Sequence, residues 1–209
     1  SVLEERSLFA LLQADDKRFR WPKKLRKSTS GPFDLMHCNC VQWIDPEKFP
    51  AHPLWSQAVV LLTSRHLNAT LAFSWTSGSV VWFWGPGELM GPHDAHVLGN
   101  GRVLLLDNGA PDRGWSRLLE VDALANAITW QWKRPEPEDF WTPAQGTVQS
   151  LPGGNLLVGN SNAGEAFEID PGGRIVWRFL NPLREQAGGR RAMLRIQRYE
   201  PELVDPLLE

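Results

Sequence analysis

The stretch Gly91-Pro92-His93-Asp94-Ala95-His96-Val97-Leu98-Gly99-Asn100-Gly101-Arg102-Val103-Leu104-Leu105-Leu106-Asp107-Asn108-Gly109 reads as strand, turn, strand, and its parts recur on both sides of it. Downstream the pattern returns as Gly146-Thr147-Val148-Gln149-Ser150-Leu151-Pro152-Gly153-Gly154-Asn155-Leu156-Leu157-Val158-Gly159-Asn160. Upstream it opens with His37-Cys38-Asn39-Cys40-Val41-Gln42 and resumes at Ala58-Val59-Val60-Leu61-Leu62-Thr63-Ser64-Arg65. Each unit closes on a second pair of short strands that ends in aromatic residues: Val80-Val81-Trp82-Phe83-Trp84, Ile128-Thr129-Trp130-Gln131-Trp132 and Ile175-Val176-Trp177-Arg178-Phe179. Trp82, Trp130 and Trp177 are separated by 48 and 47 residues.

Four short strands in a period of about 40 to 50 residues is the pattern of propeller blades. Turn residues stand where a blade needs them, at Gly99-Asn100-Gly101, Pro152-Gly153-Gly154 and Gly172-Gly173. The sequence therefore predicts an all-β protein: a β-propeller with three recognisable four-stranded blades and a short helical and basic N-terminal arm. The expected boundaries are 1–32 for the helix and basic arm and 33–209 for a partial propeller, with repeats near 33–86, 91–135 and 140–182 and then a C-terminal closing segment. Propellers close with about four to eight blades. Three are too few, so the missing blades are expected from a longer chain or a protein partner, because an open ring exposes strand edges and an apolar wall.

The 209 residues, 42% of them hydrophobic, suffice for a well-buried globular domain rather than a disordered chain. A net charge of −2 conceals a basic run, Lys17, Arg18, Arg20, Lys23, Lys24, Arg26 and Lys27. Nucleic-acid binding would need that run on a folded basic face; a solvated arm or a patch for an acidic partner explains it as well, and no nucleic-acid partner is expected. The two cysteines, Cys38 and Cys40, lie at i and i+2 on a predicted strand, side chains parallel, which disfavours a disulfide. They are expected to be small buried hydrophobes, and with no second ligand pair at zinc spacing no metal or other cofactor is expected. No apolar run approaches the roughly 18 residues of a membrane span. The start shows no signal-peptide pattern, although a processed chain would have lost one, so the compartment stays open.

Along the chain, Leu8, Phe9, Leu11 and Leu12 among Glu4, Glu5, Arg6 and Asp15 predict a helix that docks on something. The proline-rich insertion 45–55 predicts a rim loop, as do 110–115 and the acidic link 136–141. Met193-Leu194-Arg195-Ile196 reads as strand.

Aligning the repeats on their Leu-x-x-Gly turns puts His37 and His93 at one position of adjacent blades, at the start of the innermost strand. It puts Arg65, Asn108 and Asn160 together at the end of the second strand, and Thr147 one place from the two histidines. Two imidazoles, a guanidinium, amides and a hydroxyl around one axis suit a small anion with several acceptor oxygens. Asp94 is expected to orient His93 or, preferably, to brace the neighbouring blade. His52, His66 and His96 gain no support from the alignment, and the tryptophans read as blade-to-blade packing.

His37-x-Asn39, Thr63-Ser64-Arg65, His93-Asp94-Ala95 before a Leu-Gly-Asn-Gly turn, Asp107-Asn108-Gly109 and the Trp-closed blades together resemble the bacterial arylsulfotransferase (aryl-sulfate sulfotransferase) family, from about Phe33 to Tyr199. The resemblance implies the C-terminal half of a six-bladed propeller, periplasmic or secreted. It implies transfer of a sulfuryl group from an aryl sulfate to a phenol through a sulfated histidine, without a nucleotide donor. Residue by residue, His93 resembles the histidine nucleophile, His37, Asn39 and Arg65 the groups that hold the sulfuryl oxygens, and Thr147 a further site hydroxyl. Asn108 joins them as a substrate-binding candidate from the alignment. The family's first blades and at least one active-site histidine have no counterpart here. The competing expectation is a non-catalytic propeller subunit docked in a larger assembly.

Overall fold

Each sequence repeat folds into one antiparallel four-stranded sheet whose strands pair in chain order. The computed structural model describes all residues except 1, 3, 16–18, 20, 22–33, 110–112, 187 and 209, so the basic run from Lys17 to Lys27 lies outside the described residues. The first blade comprises β1 (Cys38–Ile44), β2 (Val59–Ser64), β3 (Ala69–Ser74) and β4 (Val80–Trp84). The second comprises β5 (His93–Val97), β6 (Val103–Asp107), β7 (Arg117–Asp122) and β8 (Ala127–Trp132). The third comprises β9 (Thr147–Ser150), β10 (Leu156–Asn160), β11 (Glu165–Ile169) and β12 (Ile175–Leu180). These sheets are propeller blades.

The tryptophan spacing has a structural cause. In every blade the outer hairpin carries the same register shift: Ala72 pairs Trp82 but Phe73 pairs Val80, Glu120 pairs Trp130 but Val121 pairs Ile128, and Glu168 pairs Trp177 but Ile169 pairs Ile175. The residue skipped each time makes a β-bulge, which bends the outermost strand and increases its twist.

β2, β6 and β10 are apolar almost throughout because both of their faces are covered. Alternate residues go to different cores. Leu105 packs between the first and second blades with Leu61, Ala72, Trp82 and Trp84, whereas Leu104 and Leu106 pack between the second and third with Trp132, Phe140, Val158 and Phe167. Indole donors stitch the joints: Trp82 Nε1 donates to Asn126 Oδ1 at 2.9 Å, and Trp132 Nε1 to the Gly173 carbonyl at 2.8 Å. The insertion 45–55 contains a 3-10 turn, Pro46–Lys48, and folds back onto the second blade. Trp55 is fully buried and donates to the Gly101 carbonyl at 2.8 Å. Gly101 has φ +82, and a Cβ there would lie 2.8 Å from the His52 ring, so turn and insertion require glycine together.

The free face of the first blade is capped by α1 (Leu8–Ala14), whose N-cap Ser7 accepts from the Ala10 N–H at 3.3 Å. Leu12 and Phe19 pack on Leu71 and Phe73, and Asp15 accepts the Val80 N–H at 2.8 Å. Among the described residues the third blade has no equivalent cover. Trp82 and Trp84 are 5% and 9% exposed, stacked with centroids 6.4 Å apart; Trp177 and Phe179, at the equivalent places, keep the 6.4 Å stack but are 41% and 39% exposed.

The segment 193–196, expected as strand, bends at Leu194 and is not part of a sheet ladder. It is tied to β9 by the Gln149 amide, which donates to the Arg198 carbonyl and accepts the Arg198 N–H, both at 2.8 Å. Gln42, at the matching place in the first blade, accepts the Val97 N–H of β5 at 2.8 Å. Residues 193–198 thus stand where the innermost strand of a further blade would begin. A short helix, α2 (Pro201–Val204), which the sequence did not predict, follows.

Replacing Trp132 with alanine is expected to cost about 3–5 kcal/mol, the range for deleting a buried aromatic side chain, read as a lowered denaturant midpoint. Trp177→Ala, on the open face, is expected to stay within about 1 kcal/mol of wild type; equal losses would contradict the asymmetry of the two faces.

Candidate functional site

The strand register corrects the alignment on turns. Read from the cross-strand pairs, with Leu61, Leu104 and Leu157 at one place, His93 opposite Leu106 matches Cys40 opposite Thr63 and Thr147 opposite Gly159, while Cys38 pairs Ser64 and His37 lies further out. Bulges between Cys38 and Cys40 and between His93 and His96 displace the starts of these inner strands, so matching the histidines by distance from the turns fails. On the second strand Arg65 does match Asn108, but Asn160 falls one place earlier, with Ser64 and Asp107. Asn160 is buried and donates to Glu165 at 3.0 Å, inside the third blade.

His37, Asn39, His93 and Thr147 nevertheless converge. With Asp94, Gln145 and Arg195 they line one cleft of about 260 Å³ where the inner strands of three blades meet. His93 is the buried imidazole among them. Asn108 stands behind it, fully buried, rather than on the cleft. Its Nδ2 donates to the Thr142 and Gln145 carbonyls, both at 2.6 Å, which fixes the amide orientation and leaves Oδ1 as acceptor. Oδ1 lies 2.8 Å from His93 Nδ1, so that nitrogen carries the proton; the Gly91 carbonyl at 3.1 Å supports it. Nε2 keeps its lone pair and accepts the Gln145 N–H at 3.2 Å.

Burial lowers the His93 pKa from the ordinary histidine value. The hydrogen bonds to Asn108 and Gly91 oppose the shift, and the nearby charges of Arg65 and His37 add to it. The imidazole is therefore neutral at pH 7. Arg65 sits beside Gly91 and reaches the Pro143 carbonyl at 3.4 Å, close to His93 but not among the residues lining the cleft. Asn39 donates its Nδ2 to the Pro92 carbonyl at 2.9 Å. The Thr147 hydroxyl faces the Ile196 carbonyl at 3.4 Å. Asp94, at φ +53, accepts the Val148 N–H at 2.8 Å, so it braces the third blade as preferred.

Two neighbouring cavities, of about 410 and 370 Å³, also include Asp94 and Arg195, which stand at the junction of all three spaces. Arg195 was not singled out from the sequence. Its only signal is register: the Gln149 to Arg198 tie puts Arg195 at the place Asp94 holds in the second blade. The expectation of two buried cysteines fails for Cys38, which is exposed. Cys40 is half-buried; burial and the Asp94 charge push its thiol up to about 12, so it stays protonated at neutral pH and is no nucleophile.

Four-stranded blades meeting around a polar, imidazole-bearing cleft define a propeller. A family model described as Arylsulfotransferase (ASST) matches residues 3–182, and the chain belongs to that family. No curated protein matches it. Among solved structures, virginiamycin B lyase from Staphylococcus aureus is similar at 14% identity and a TM-score of 0.44, over 69% of this chain and 46% of that one. A protein of unknown function from Bacteroides caccae gives 16% and 0.45, over 62% and 47%, and the RRP9 WD40 repeats give 10% and 0.46, over 76% and 44%. The chain spans less than half the length of each. A likeness at this level says nothing about activity. Among the described residues no helix is long and apolar enough to cross a membrane.

An NMR titration of His93 is expected to give a pKa below 6.5, the unperturbed value. Arg65→Gln removes a repulsive charge and should move that pKa upward; a downward shift would contradict the placement of Arg65.

Proposed function

We propose that this chain carries the nucleophile and part of the anion cradle of an aryl-sulfate sulfotransferase. The carrying observation is the His93–Asn108 hydrogen bond at 2.8 Å: with the proton held on Nδ1, Nε2 is the nitrogen with the lone pair, and it attacks by exchanging the 3.2 Å hydrogen bond from the Gln145 N–H for sulfur. In the first half-reaction Nε2 attacks the sulfur of an aryl sulfate, the N–S bond forms, and the S–O bond to the aryl group breaks to release a phenolate. In the second, the oxygen of a phenol attacks the same sulfur, its proton passes to solvent water, and the N–S bond breaks with its electron pair returning to Nε2. Asn108 Oδ1 accepts the Nδ1–H throughout and stabilises the cationic sulfated ring. Thr147, His37, Asn39 and the charges of Arg65 and Arg195 are suited to the sulfuryl oxygens; each such donor typically contributes on the order of 3 kcal/mol to the barrier.

The family match supports aryl sulfates and phenols as substrates, and the periplasm as the compartment. The open face at Trp177 and Phe179 supports further blades, supplied by a longer chain or a partner, as part of the working site. That face also favours a second reading, a propeller subunit whose channel residues are inherited but idle. The two separate on kinetics. In the protein that carries this chain, His93→Ala is expected to abolish transfer from 4-nitrophenyl sulfate to phenol, with thermal stability kept. Arg65→Ala should lower turnover by about 10²–10³. Transfer that persists in His93→Ala would remove His93 from the nucleophile role.

A further inference from the structure

We infer that Asp34, His37 and His66 form a binding site for a divalent transition-metal cation at the mouth of the cleft. Their ligand atoms all lie within 4.8 Å of one another, the sole such group of three among the described residues. The three come from two segments held together by backbone. Asp34 and His37 precede β1 and His66 follows β2, and the His66 N–H to Met36 carbonyl bond (3.1 Å) and the Arg65 N–H to His37 carbonyl bond (3.2 Å) fix the pair.

The His66 imidazole is set up as a ligand. His66 Nδ1 lies 2.8 Å from the Asp34 carbonyl, which accepts but cannot donate, so Nδ1 bears the proton and Nε2 a lone pair. This is the arrangement by which an outer hydrogen bond orients a metal-binding histidine. The His37 and His66 rings are 4.8 Å apart and tilted by 31°, which brings both imidazoles to one place. The Asp34 carboxylate already meets His37 Nδ1 at 2.5 Å, and both side chains are nearly half exposed, which gives a cation its entry path. Tetrahedral zinc, with bonds of about 2.0–2.2 Å, needs ligand atoms about 3.3 Å apart. Separations of up to 4.8 Å would close to that spacing, and the 2.5 Å Asp34–His37 contact would open to it.

Two imidazoles and one carboxylate suit zinc, cobalt, nickel or copper rather than magnesium or calcium, which prefer all-oxygen shells. Three protein ligands leave a coordination position for water. Because His37 also lines the cleft, cation and sulfuryl group would share it, but metal binding does not depend on the transferase reading.

The test is calorimetric titration of the untagged chain with zinc chloride, alongside the visible spectrum of its cobalt complex. One equivalent of zinc is expected to bind while magnesium gives no heat, and Cys38→Ser should bind as wild type does. His66→Ala should weaken zinc at least about tenfold, with the thermal midpoint unchanged; Asp34→Asn should do the same. The cobalt spectrum of the unmutated chain should show d–d bands without a thiolate charge-transfer band. Zinc failing to bind, binding unweakened in both His66→Ala and Asp34→Asn, loss in Cys38→Ser, or a thiolate band would each overturn the site.

Discussion

The side-chain amide of Asn108 does two jobs with one set of hydrogen bonds. Its two N–H groups hold the Thr142 and Gln145 carbonyls, which lead from the second blade into the third, and its oxygen holds the proton on His93 Nδ1. Buried without those partners, the amide would carry a desolvation cost of about 1–3 kcal/mol. The link between blades and the tautomer of the imidazole therefore stand or fall together. Gln145 completes the loop by donating its N–H to Nε2.

The same economy appears along the inner strands. Polar side chains rather than a continuous sheet join blade to blade: Asn39 to Pro92, Thr63 Oγ1 to the Ala95 N–H, Gln42 to Val97 and Asp94 to Val148. Outside this polar axis the joints are aromatic and apolar. The axis is thus the place where donors and acceptors gather beside open clefts, and the rim is where the apolar contacts reside. The α1 cap on the first blade and the bare Trp177–Phe179 stack on the third mark the two ends of the series differently.

Blade number, strand order and the aromatic joints were legible in the sequence because the bulged outer hairpin repeats with its tryptophan and each strand is short and apolar. His93 was legible for its place at the start of an inner strand. Its relation to His37 was not, since bulges in the inner strands shift the register without leaving a composition signal. Asn108 was placed in the right neighbourhood but with the wrong contact: a turn-like Asp-Asn-Gly does not reveal that the amide is fully buried. Arg195 escaped because its segment is held by the Gln149 side chain, not by a strand ladder. His66 escaped because its partner Asp34 lies 32 residues away and meets it through a backbone carbonyl.

The central claim is that His93 carries the group in transit through Nε2. Peptide mapping by mass spectrometry, after rapid alkaline quenching of the protein with an aryl sulfate and no acceptor, tests it directly. The account predicts a gain of about 80 Da, one sulfuryl group, on the peptide containing His93, lost again when a phenol is added before quenching. Phenol release with that peptide unlabelled, or with the label on another residue, would contradict it.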